Sequence, residues 1–404
     1  MVSKDYTPFS PGSPIHPEFF VGRIEQIEQV MQFIKEANSG KQANVFLTGD
    51  RGIGKSSFAS LLHHLALSKE NMLGIHAFLG SVTSLEEMIR HIFDQILKET
   101  KDLSWFKNIS SFFGKYIEEI GLFGVSVSFA PPKKELEGLV RNFPEALKNF
   151  IDKIKLDKKG LFLALDDING LADKEDFANW YKSFVDETAT RYKDFPVFIM
   201  LIGLPEKRKI LSTLQPSLMR IFRPIEIEKL KDEEVEQFLL NAFKEVDVKV
   251  EKEALEIMVR FSGGLPILMH EIGDAAFRYD SNGIIDKNDA YAGIYRAAKI
   301  IGAKYLNPKV YYAIQSKRYR TILRVMGQSS ISRYFNKAEF EKKLSDKEKK
   351  VFPYFLKKLR DLDIIEQDLE RGRGAYRFVN EIYPIYIWIE SERFKDKLAN
   401  KHII

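Results

Sequence analysis

Residues 49–56 combine three glycines with a lysine and a serine, a set of residues that can bind phosphate groups. They read Gly-Asp-Arg-Gly-Ile-Gly-Lys-Ser and match the pattern G-x-x-x-x-G-K-[ST]. Glycines let backbone N–H groups turn toward phosphate oxygens, and the helix that follows adds the positive end of its dipole. The alternative is a glycine-rich turn without a ligand. The predicted phosphate contacts are Gly49, Asp50, Arg51, Gly52, Ile53, Gly54, Lys55, Ser56 and Ser57.

Two side chains of this loop have separate chemical roles in the prediction. Lys55 would reach the β- and γ-phosphates of a nucleotide as a point charge, and the Ser56 hydroxyl would ligate Mg²⁺. The loop therefore predicts a nucleoside di- or triphosphate as ligand, with Mg²⁺ arriving together with the nucleotide.

A pair of carboxylates, Asp166 and Asp167, ends the apolar run 161–165. A strand that ends in acid places Asp166 at the carboxyl edge of a parallel sheet, where ligands bind. There Asp166 would hold Mg²⁺, usually through water, and Asp167 would polarise an attacking water. Both residues could instead cap a helix or form a turn, since Asp is common at such places.

Apolar runs alternate with helix-length segments through the first part of the chain, which indicates βαβ units. We predict an α/β fold with a parallel sheet that helices cover on both faces. The predicted strands are 44–48, 73–79, 161–165, 197–202 and 225–227.

With 404 residues the chain is long enough for several domains. Four prolines among the first 18 residues exclude a helix there, whereas helices dominate after the last predicted strand. An insertion at about 105–140 contains a predicted helix over 112–120 and then a predicted hairpin strand. The predicted divisions are an extended arm over 1–18, a nucleotide-binding domain over 19–229, a helical lid over 230–306 and a winged-helix domain over 307–404.

Composition and charge exclude several classes of protein. The absence of cysteine rules out disulfides, thiolate zinc sites and a cysteine nucleophile, and it fits a cytoplasmic protein. No apolar stretch of about 18 residues occurs, so we expect no membrane span. The net charge is +5, but residues 305–404 carry +9. That excess indicates either a polyanion partner for the tail or a solvated basic surface.

Four sequence elements together resemble the AAA+ ATPases of the origin-recognition group and the STAND signalling ATPases. They are the phosphate loop, the strand that ends in two acids, a box at 20–23 (Phe-Val-Gly-Arg) and a Ser-Gly-Gly-Leu-Pro element at 262–266. The resemblance covers about residues 8–300 strongly and the rest weakly. It implies a P-loop AAA+ sheet, a helical lid, a winged helix, and ATP or ADP with Mg²⁺ as cofactors.

The resemblance also implies roles for residues outside the loop. Phe20, Val21 and Gly22 would lie against the adenine, although they could instead form a hydrophobic staple into the next helix. Arg23 would lie near the nucleotide or that helix. Lid residues Pro266 and His270 would face the base and the phosphates, but a lone histidine is often structural. These sites complete the predicted nucleotide contacts.

An arginine near the last strand would contact a γ-phosphate in cis or in trans, and here Arg220 is favoured over Arg223. Both could instead be solvated surface residues. The predicted catalytic residues are thus Lys55, Asp167 and Arg220. One departure from the family is Gly203, which ends a strand where AAA+ proteins commonly place a polar residue. It favours a slow nucleotide switch over a fast motor.

Two functions remain open for the tail. In one, double-stranded DNA binds the winged helix, whose basic residues attract phosphates, and nucleotide state sets assembly or DNA binding. In the other, a STAND-like switch uses the winged helix to contact another protein or to self-associate.

Overall fold

The computed structural model describes residues 6–106, 113–114, 117–120, 126–312, 314–329, 332–368 and 370–399. The chain divides into two compact units. One comprises residues 14–228, and the other comprises the beginning of the chain to residue 13 together with the residues from 229 onward.

A five-stranded parallel sheet forms the centre of the first unit. The strands of this unit are β1 Ala43–Thr48, β2 Leu73–Phe78, β3 Ile117–Ile120, β4 Ser126–Phe129, β5 Leu161–Asp166, β6 Val197–Gly203 and β7 Arg223–Glu226. The order in the main sheet is β2-β5-β6-β1-β7, and each neighbouring pair is parallel. Every residue of β1, β5 and β6 is buried, as expected when both faces of a parallel sheet are covered.

Helices cover this sheet on both faces. They are α1 Ile24–Asn38, α2 Lys55–Glu70, α3 Leu85–Thr100, α4 Lys133–Arg141, α5 Phe143–Ile154, α6 Glu175–Arg191, α7 Pro205–Leu214 and α8 Leu218–Ile221, with 3₁₀ turns at Pro17–Phe19 and Ile168–Gly170. Helices α1 and α2 pack together on one face, while α3, α5 and α6 bury their apolar sides in the core of the other. The predicted α/β fold class is confirmed.

The insertion differs in part from its prediction. Ile117–Ile120 is strand β3, antiparallel to β4, so the helix predicted over 112–120 is wrong for these four residues. Their pattern, Ile-Glu-Glu-Ile, does not decide between the two periods, and the alternating strand β4 needs a hydrogen-bonding partner. The buried Phe113 ring lies 5.8 Å from that of Phe129. Residues 107–112, 115–116 and 121–125 lie outside the described part.

The second unit is mainly helical. Its helices are α9 Asp232–Glu245, α10 Lys252–Ser262, α11 Pro266–Tyr279, α12 Lys287–Ile301, α13 Lys317–Ser329, α14 Lys337–Glu341, α15 Asp346–Lys349, α16 Phe352–Asp361 and α17 Ile382–Ala399, with π-helical turns over Gly302–Tyr312. Its strands are β8 Lys249–Val250, β9 Ile284–Ile285, β10 Tyr334–Asn336, β11 Ile365–Gln367 and β12 Ala375–Phe378. None of the helices in the described ranges is long and apolar enough to cross a bilayer.

The segments predicted as lid and winged-helix domain belong to one compact unit. Helix α12 passes directly into the π-helical turns, so the predicted boundary at 306/307 lies inside a helical stretch. Helix α17 packs on both α12 and α13, and the Trp388 ring lies 6.5 Å from that of Tyr295. The tail also contains a three-stranded antiparallel sheet in the order β10-β12-β11.

The beginning of the chain belongs to the core of this helical unit. Phe9 is only 2% exposed, and its ring makes edge contacts with Phe238 at 6.0 Å and Phe243 at 5.1 Å. A Cβ atom at Gly273 would lie 2.2 Å from the Phe9 ring, so the helix has room for this ring only because it carries glycine there. The described residues of the predicted arm up to Ser13 thus pack into the helical unit. The predicted arm is not extended throughout, because Ser13 N–H bonds to the carbonyl oxygen of Ser10 and Pro17–Phe19 forms a 3₁₀ turn.

Replacing Phe9 with alanine should lower the stability of the helical unit by about 3 kcal/mol, since it removes a buried aromatic ring and leaves a cavity. Urea unfolding followed by circular dichroism measures the change. The control is Tyr6→Phe, because Tyr6 is 57% exposed and donates only a surface hydrogen bond to Glu245. It should change stability by about 0.5 kcal/mol or less. Equal effects of the two substitutions would contradict a packed arm.

Candidate functional site

The carboxyl ends of the central strands lie level with one another. Thr48, the last residue of β1, pairs with Gly203 at the end of β6, and Asp166, the last residue of β5, pairs with Ile202. The loops that follow β1 and β5 therefore leave the sheet at the same edge, and the predicted phosphate loop and the predicted acid pair meet there.

The loop between β1 and α2 has a backbone that requires its glycines. Gly52 and Gly54 have φ angles of 77° and 91°, which side chains with a Cβ atom rarely adopt. Gly49 has no room for a side chain, because a Cβ there would lie 2.8 Å from the carbonyl oxygen of Ile227. Helix α2 begins directly afterwards at Lys55, so its N-terminal N–H groups open onto the loop.

Lys55 lies over the loop. Its Nζ donates to the carbonyl oxygens of Gly49 at 2.7 Å and Asp50 at 2.9 Å. An ammonium group has three donors, so a third is left for a phosphate oxygen. Burial lowers the pKa of Lys55, while the carboxylates of Asp166, Asp50 and Asp167 act in the opposite direction. The lysine and the acid pair thus share one electrostatic environment.

Asp166 is buried at 3% exposure and has a partner that sequence reasoning missed. The Nε2 atom of His76 lies 3.0 Å from its Oδ2. His76 is on β2, two residues before Phe78, and Phe78 pairs with Asp166. Because residues i and i+2 share a face of a strand, His76 and Asp166 meet on one face. A polar residue inside the apolar run of β2 was the available signal.

Asp167 differs from Asp166 in exposure, backbone conformation and hydrogen-bond partner. It is exposed, has a left-handed backbone with φ 59°, and begins the 3₁₀ turn at 168–170. Asn169 donates from Nδ2 to its Oδ1. Its Oδ2 lies over Gly80, where a Cβ would approach it to 2.8 Å.

Arg23 holds the phosphate loop from behind. Its guanidinium donates to the carbonyl oxygen of Ile53 and to that of Glu228 at 3.4 Å. Arg23 is 8% exposed and has a left-handed φ of 57° just before α1. The resemblance implied that Arg23 lies near the nucleotide or near the following helix. In the structure Arg23 lies directly before α1, and its guanidinium binds the main chain of the phosphate loop.

The remaining residues of the box at 20–23 are half-buried. The Phe20 ring lies 6.1 Å from the ring of Phe58 on α2, and Gly22 has a positive φ of 72°. Phe20, Val21 and Gly22 thus lie beside the helix that follows the phosphate loop. Their contact with adenine stays a prediction.

Ser56 and Ser57 have different surroundings at the start of α2. The Ser57 hydroxyl accepts a hydrogen bond from the Ile15 N–H at 3.2 Å, so its side chain is bonded to the main chain of Ile15, and its contact with a phosphate stays a prediction. Ser56 and Asp166 offer a hydroxyl and a carboxylate oxygen, ligands that suit Mg²⁺. Within the described ranges no three His, Asp or Glu side chains cluster around a common point, so the other ligands would come from phosphate and water.

The two candidate arginines differ in their contacts. Arg223 begins β7, pairs with Glu36 at 2.7 Å and lies 4.2 Å from the Phe33 ring centroid, so it is fastened to α1. Arg220 is exposed on α8, and no acidic group in the described part of the chain forms an ion pair with it. Of the two, Arg220 is the one available to a phosphate.

Pro266 and His270 lie in the helical unit. Pro266 is the first residue of α11. His270 is 6% exposed, accepts a hydrogen bond from the Ser10 N–H at 3.1 Å, and packs against Phe238 at 4.8 Å. Burial lowers its pKa to about 4, so the ring is neutral at pH 7. These contacts give His270 a packing role, and its phosphate contact stays a prediction that they do not support.

Comparison with known proteins gives a family match within the first unit. A family model for the AAA ATPase domain matches residues 20–192. An uncharacterized HTH-type transcriptional regulator of Methanocaldococcus jannaschii is 22% identical over 279 residues, which is 65% of this chain and 64% of that protein. The chain therefore spans slightly less than two thirds of the curated relative that it matches.

Two solved structures superpose over nearly the whole chain. The Walker-type ATPase of Pyrococcus abyssi has a TM-score of 0.55 at 16% identity, covering 96% of this chain and 99% of that one. The ORC2 protein of Aeropyrum pernix, solved with ADPNP and ADP, has a TM-score of 0.57 at 13% identity, covering 98% of each chain. At such identities the likeness shows the fold alone.

The buried His270 gives the helical unit a pH dependence. Its pKa is about 4 when folded and about 6.5 when unfolded, so below pH 6.5 protons bind the unfolded chain more tightly. Stability should fall as the pH drops from 6.5, by about 3 kcal/mol near pH 4.

Urea midpoints measured at pH 7 and pH 5 for the native protein and for His270→Gln test this expectation. The variant should show the smaller decrease, because glutamine keeps an acceptor for the Ser10 N–H but does not titrate. His64→Gln, a change at an exposed histidine of α2, should behave like the native protein. Parallel curves for all three proteins would contradict the burial of a neutral ring.

Proposed function

We propose that this protein binds ATP with Mg²⁺ at the phosphate loop and hydrolyses it slowly to ADP, so that it works as a nucleotide-dependent switch. The observation that carries the proposal is the position of Lys55, which lies over the glycine loop and within the electrostatic field of Asp166. The AAA ATPase family match over residues 20–192 supports it independently.

Each residue at the edge has a distinct task in this proposal. The loop N–H groups and Lys55 bind and orient the phosphates, and Ser56 and Asp166 hold Mg²⁺, which would neutralise charge on the phosphate oxygens. Asp167 Oδ2 takes a proton from water as the water oxygen bonds to the γ-phosphorus. The bond from the γ-phosphorus to the bridging oxygen then breaks, and ADP and inorganic phosphate leave.

Two features favour slow turnover. Gly203 offers no side chain at the end of β6, and Asp167 is one methylene shorter than a glutamate. An arginine that approaches the γ-phosphate can raise the rate of such enzymes by about 10³–10⁵. Arg220, exposed on α8, fits that role in cis or in trans, and ATP turnover would then depend on the assembly state.

Lys55→Ala should abolish ATP binding, or at least hydrolysis, because it removes the positive charge over the loop.

Asp167→Asn should reduce hydrolysis by at least tenfold and leave ATP affinity within about twofold, since an amide cannot take the proton of water. Calorimetric titration measures affinity, and release of inorganic phosphate measures turnover.

The matched control is Lys69→Ala, at an exposed lysine in the last turn of the same helix. It should leave both quantities unchanged. Unchanged turnover in Lys55→Ala, or no heat of ATP binding to the native protein, would remove the proposal.

For the tail, we propose that the elements from α13 to β12 act as a winged helix that binds double-stranded DNA. Helix α16 buries Phe352, Phe355 and Leu359, while Lys357 and Lys358 are exposed on its other side. The exposed Arg373 lies in the turn between β11 and β12. The relative from M. jannaschii is by its name an HTH-type transcriptional regulator, which supports this choice.

The alternative is a STAND-like switch in which the same surface contacts a protein. The exposed Tyr354, 68% accessible on α16, favours it, because tyrosine is enriched in protein interfaces. Both functions use the same nucleotide site and differ only in what the tail binds.

Duplex DNA affinity measured at two salt concentrations separates the two functions. Binding should weaken steeply with salt as counterions are released, and Lys357→Ala and Arg373→Ala should each weaken binding and reduce the salt slope by about one. Lys193→Ala, at an exposed lysine of the first unit, should have little effect. Absence of binding at low salt, or indifference to both substitutions, would favour the protein-contact function.

A further inference from the structure

Asn169 joins the ends of two neighbouring strands at the proposed hydrolytic site. Its Nδ2 donates to Oδ1 of Asp167, which follows β5. Its Oδ1 accepts from the N–H of Leu204 at 3.2 Å, and Leu204 follows β6. Both ends of the amide are therefore occupied, and each bond defines which atom is the donor.

The main chain that carries Asn169 is tightly packed. Asn169 lies in the 3₁₀ turn at 168–170. The next residue, Gly170, has no room for a side chain, because a Cβ there would lie 2.6 Å from the carbonyl oxygen of Val82. The preceding residue, Ile168, is completely buried. An amide held by a fixed turn and two hydrogen bonds has little rotational freedom.

The Asn169 amide lies directly beside the glycine that ends β6. A Cβ at Gly203 would lie 3.5 Å from Asn169 Oδ1 and 3.6 Å from the side chain of Ile168. The polar group beside the end of β6 thus comes from the turn after β5. Asn169 is only partly exposed, in keeping with this inserted position.

Asp167 needs such support because its own environment restrains it little. It is exposed, and a free aspartate side chain on a surface samples several rotamers. With Oδ1 bound to Asn169, the second oxygen is directed over Gly80, which leaves that side open because it has no side chain. Asp167 also acts on Lys55 electrostatically, so the two charges lie close enough to interact.

We propose that Asn169 is a positioning residue for ATP hydrolysis: it holds the Asp167 carboxylate so that Oδ2 is presented to the attacking water. This inference rests on the proposed function. It assigns a role to a residue that itself contacts neither the phosphates nor the metal, and it predicts that Asn169 acts only through Asp167.

A double-mutant cycle tests this dependence. Asn169→Ala should lower kcat by about tenfold, while KM and the calorimetric affinities for ATP and ADP stay within twofold. Asn169→Asp keeps the acceptor for Leu204 but loses the donor and adds a like charge, so its kcat should fall at least as far. In the Asp167→Asn background, Asn169→Ala should have no further effect on kcat.

The control is Asn179→Ala, which removes an exposed amide on α6 that accepts from Gln215; kcat should not change. Independent effects of Asn169 and Asp167 on kcat would overturn the proposal, as would a loss of ATP affinity equal to the loss of kcat. Thermal melting of each variant identifies any that fail to fold, and Asn169→Asp then replaces Asn169→Ala in the cycle.

A crystal structure of Asn169→Ala with ADP gives a readout that does not depend on turnover. The Asp167 carboxylate should leave its place over Gly80 and occupy another rotamer, and an unchanged side chain would contradict a positioning role. If the native protein shows no hydrolysis, the proposed function fails; the carboxylate position in this crystal still decides whether Asn169 holds Asp167.

Discussion

Parallel pairing of β1, β6 and β5 is the constraint on which the site depends. The hydrogen-bonded register brings Thr48, Gly203 and Asp166 to one edge within a residue of each other. Residues as far apart in the sequence as Thr48 and Gly203 thus become neighbours through main-chain pairing. The sheet determines where the glycine loop and the acid pair lie. Arg23, His76 and Asn169 then form hydrogen bonds to Ile53, Asp166 and Asp167.

Much of the fold could be predicted because buried strands in this chain are continuous apolar runs. Strands β1, β2, β5 and β6 were found from largely apolar runs, and β7 from the two isoleucines on either side of Glu226, although only Ile225 of β7 is buried. The helices between the strands were expected from the helix-length segments that separate the runs. The error at Ile117–Ile120 arose where two isoleucines three apart suit a helix while their partner strand alternates. Local pattern cannot decide such a segment, because the hydrogen bonds of its neighbour determine its state.

The site was predictable where chemistry is written in contiguous residues and not where it depends on contacts across the fold. The loop at 49–56 and the pair at 166–167 could be located from motif and position. His76 lies ninety residues from Asp166 and carries no motif. The packing role of His270 was hidden for the same reason, since its hydrogen-bond partner Ser10 is 260 residues away.

The seat of Phe9 has a consequence for anyone who divides this protein into fragments. A fragment that begins after residue 13 would lack the Phe9 ring, which packs against Gly273. It would open the apolar surfaces of Phe238 and Phe243 to water, and uncovered patches of that kind promote aggregation. A fragment made of the residues from 229 onward should therefore include the residues up to 13 as well, either covalently linked or added as a separate peptide.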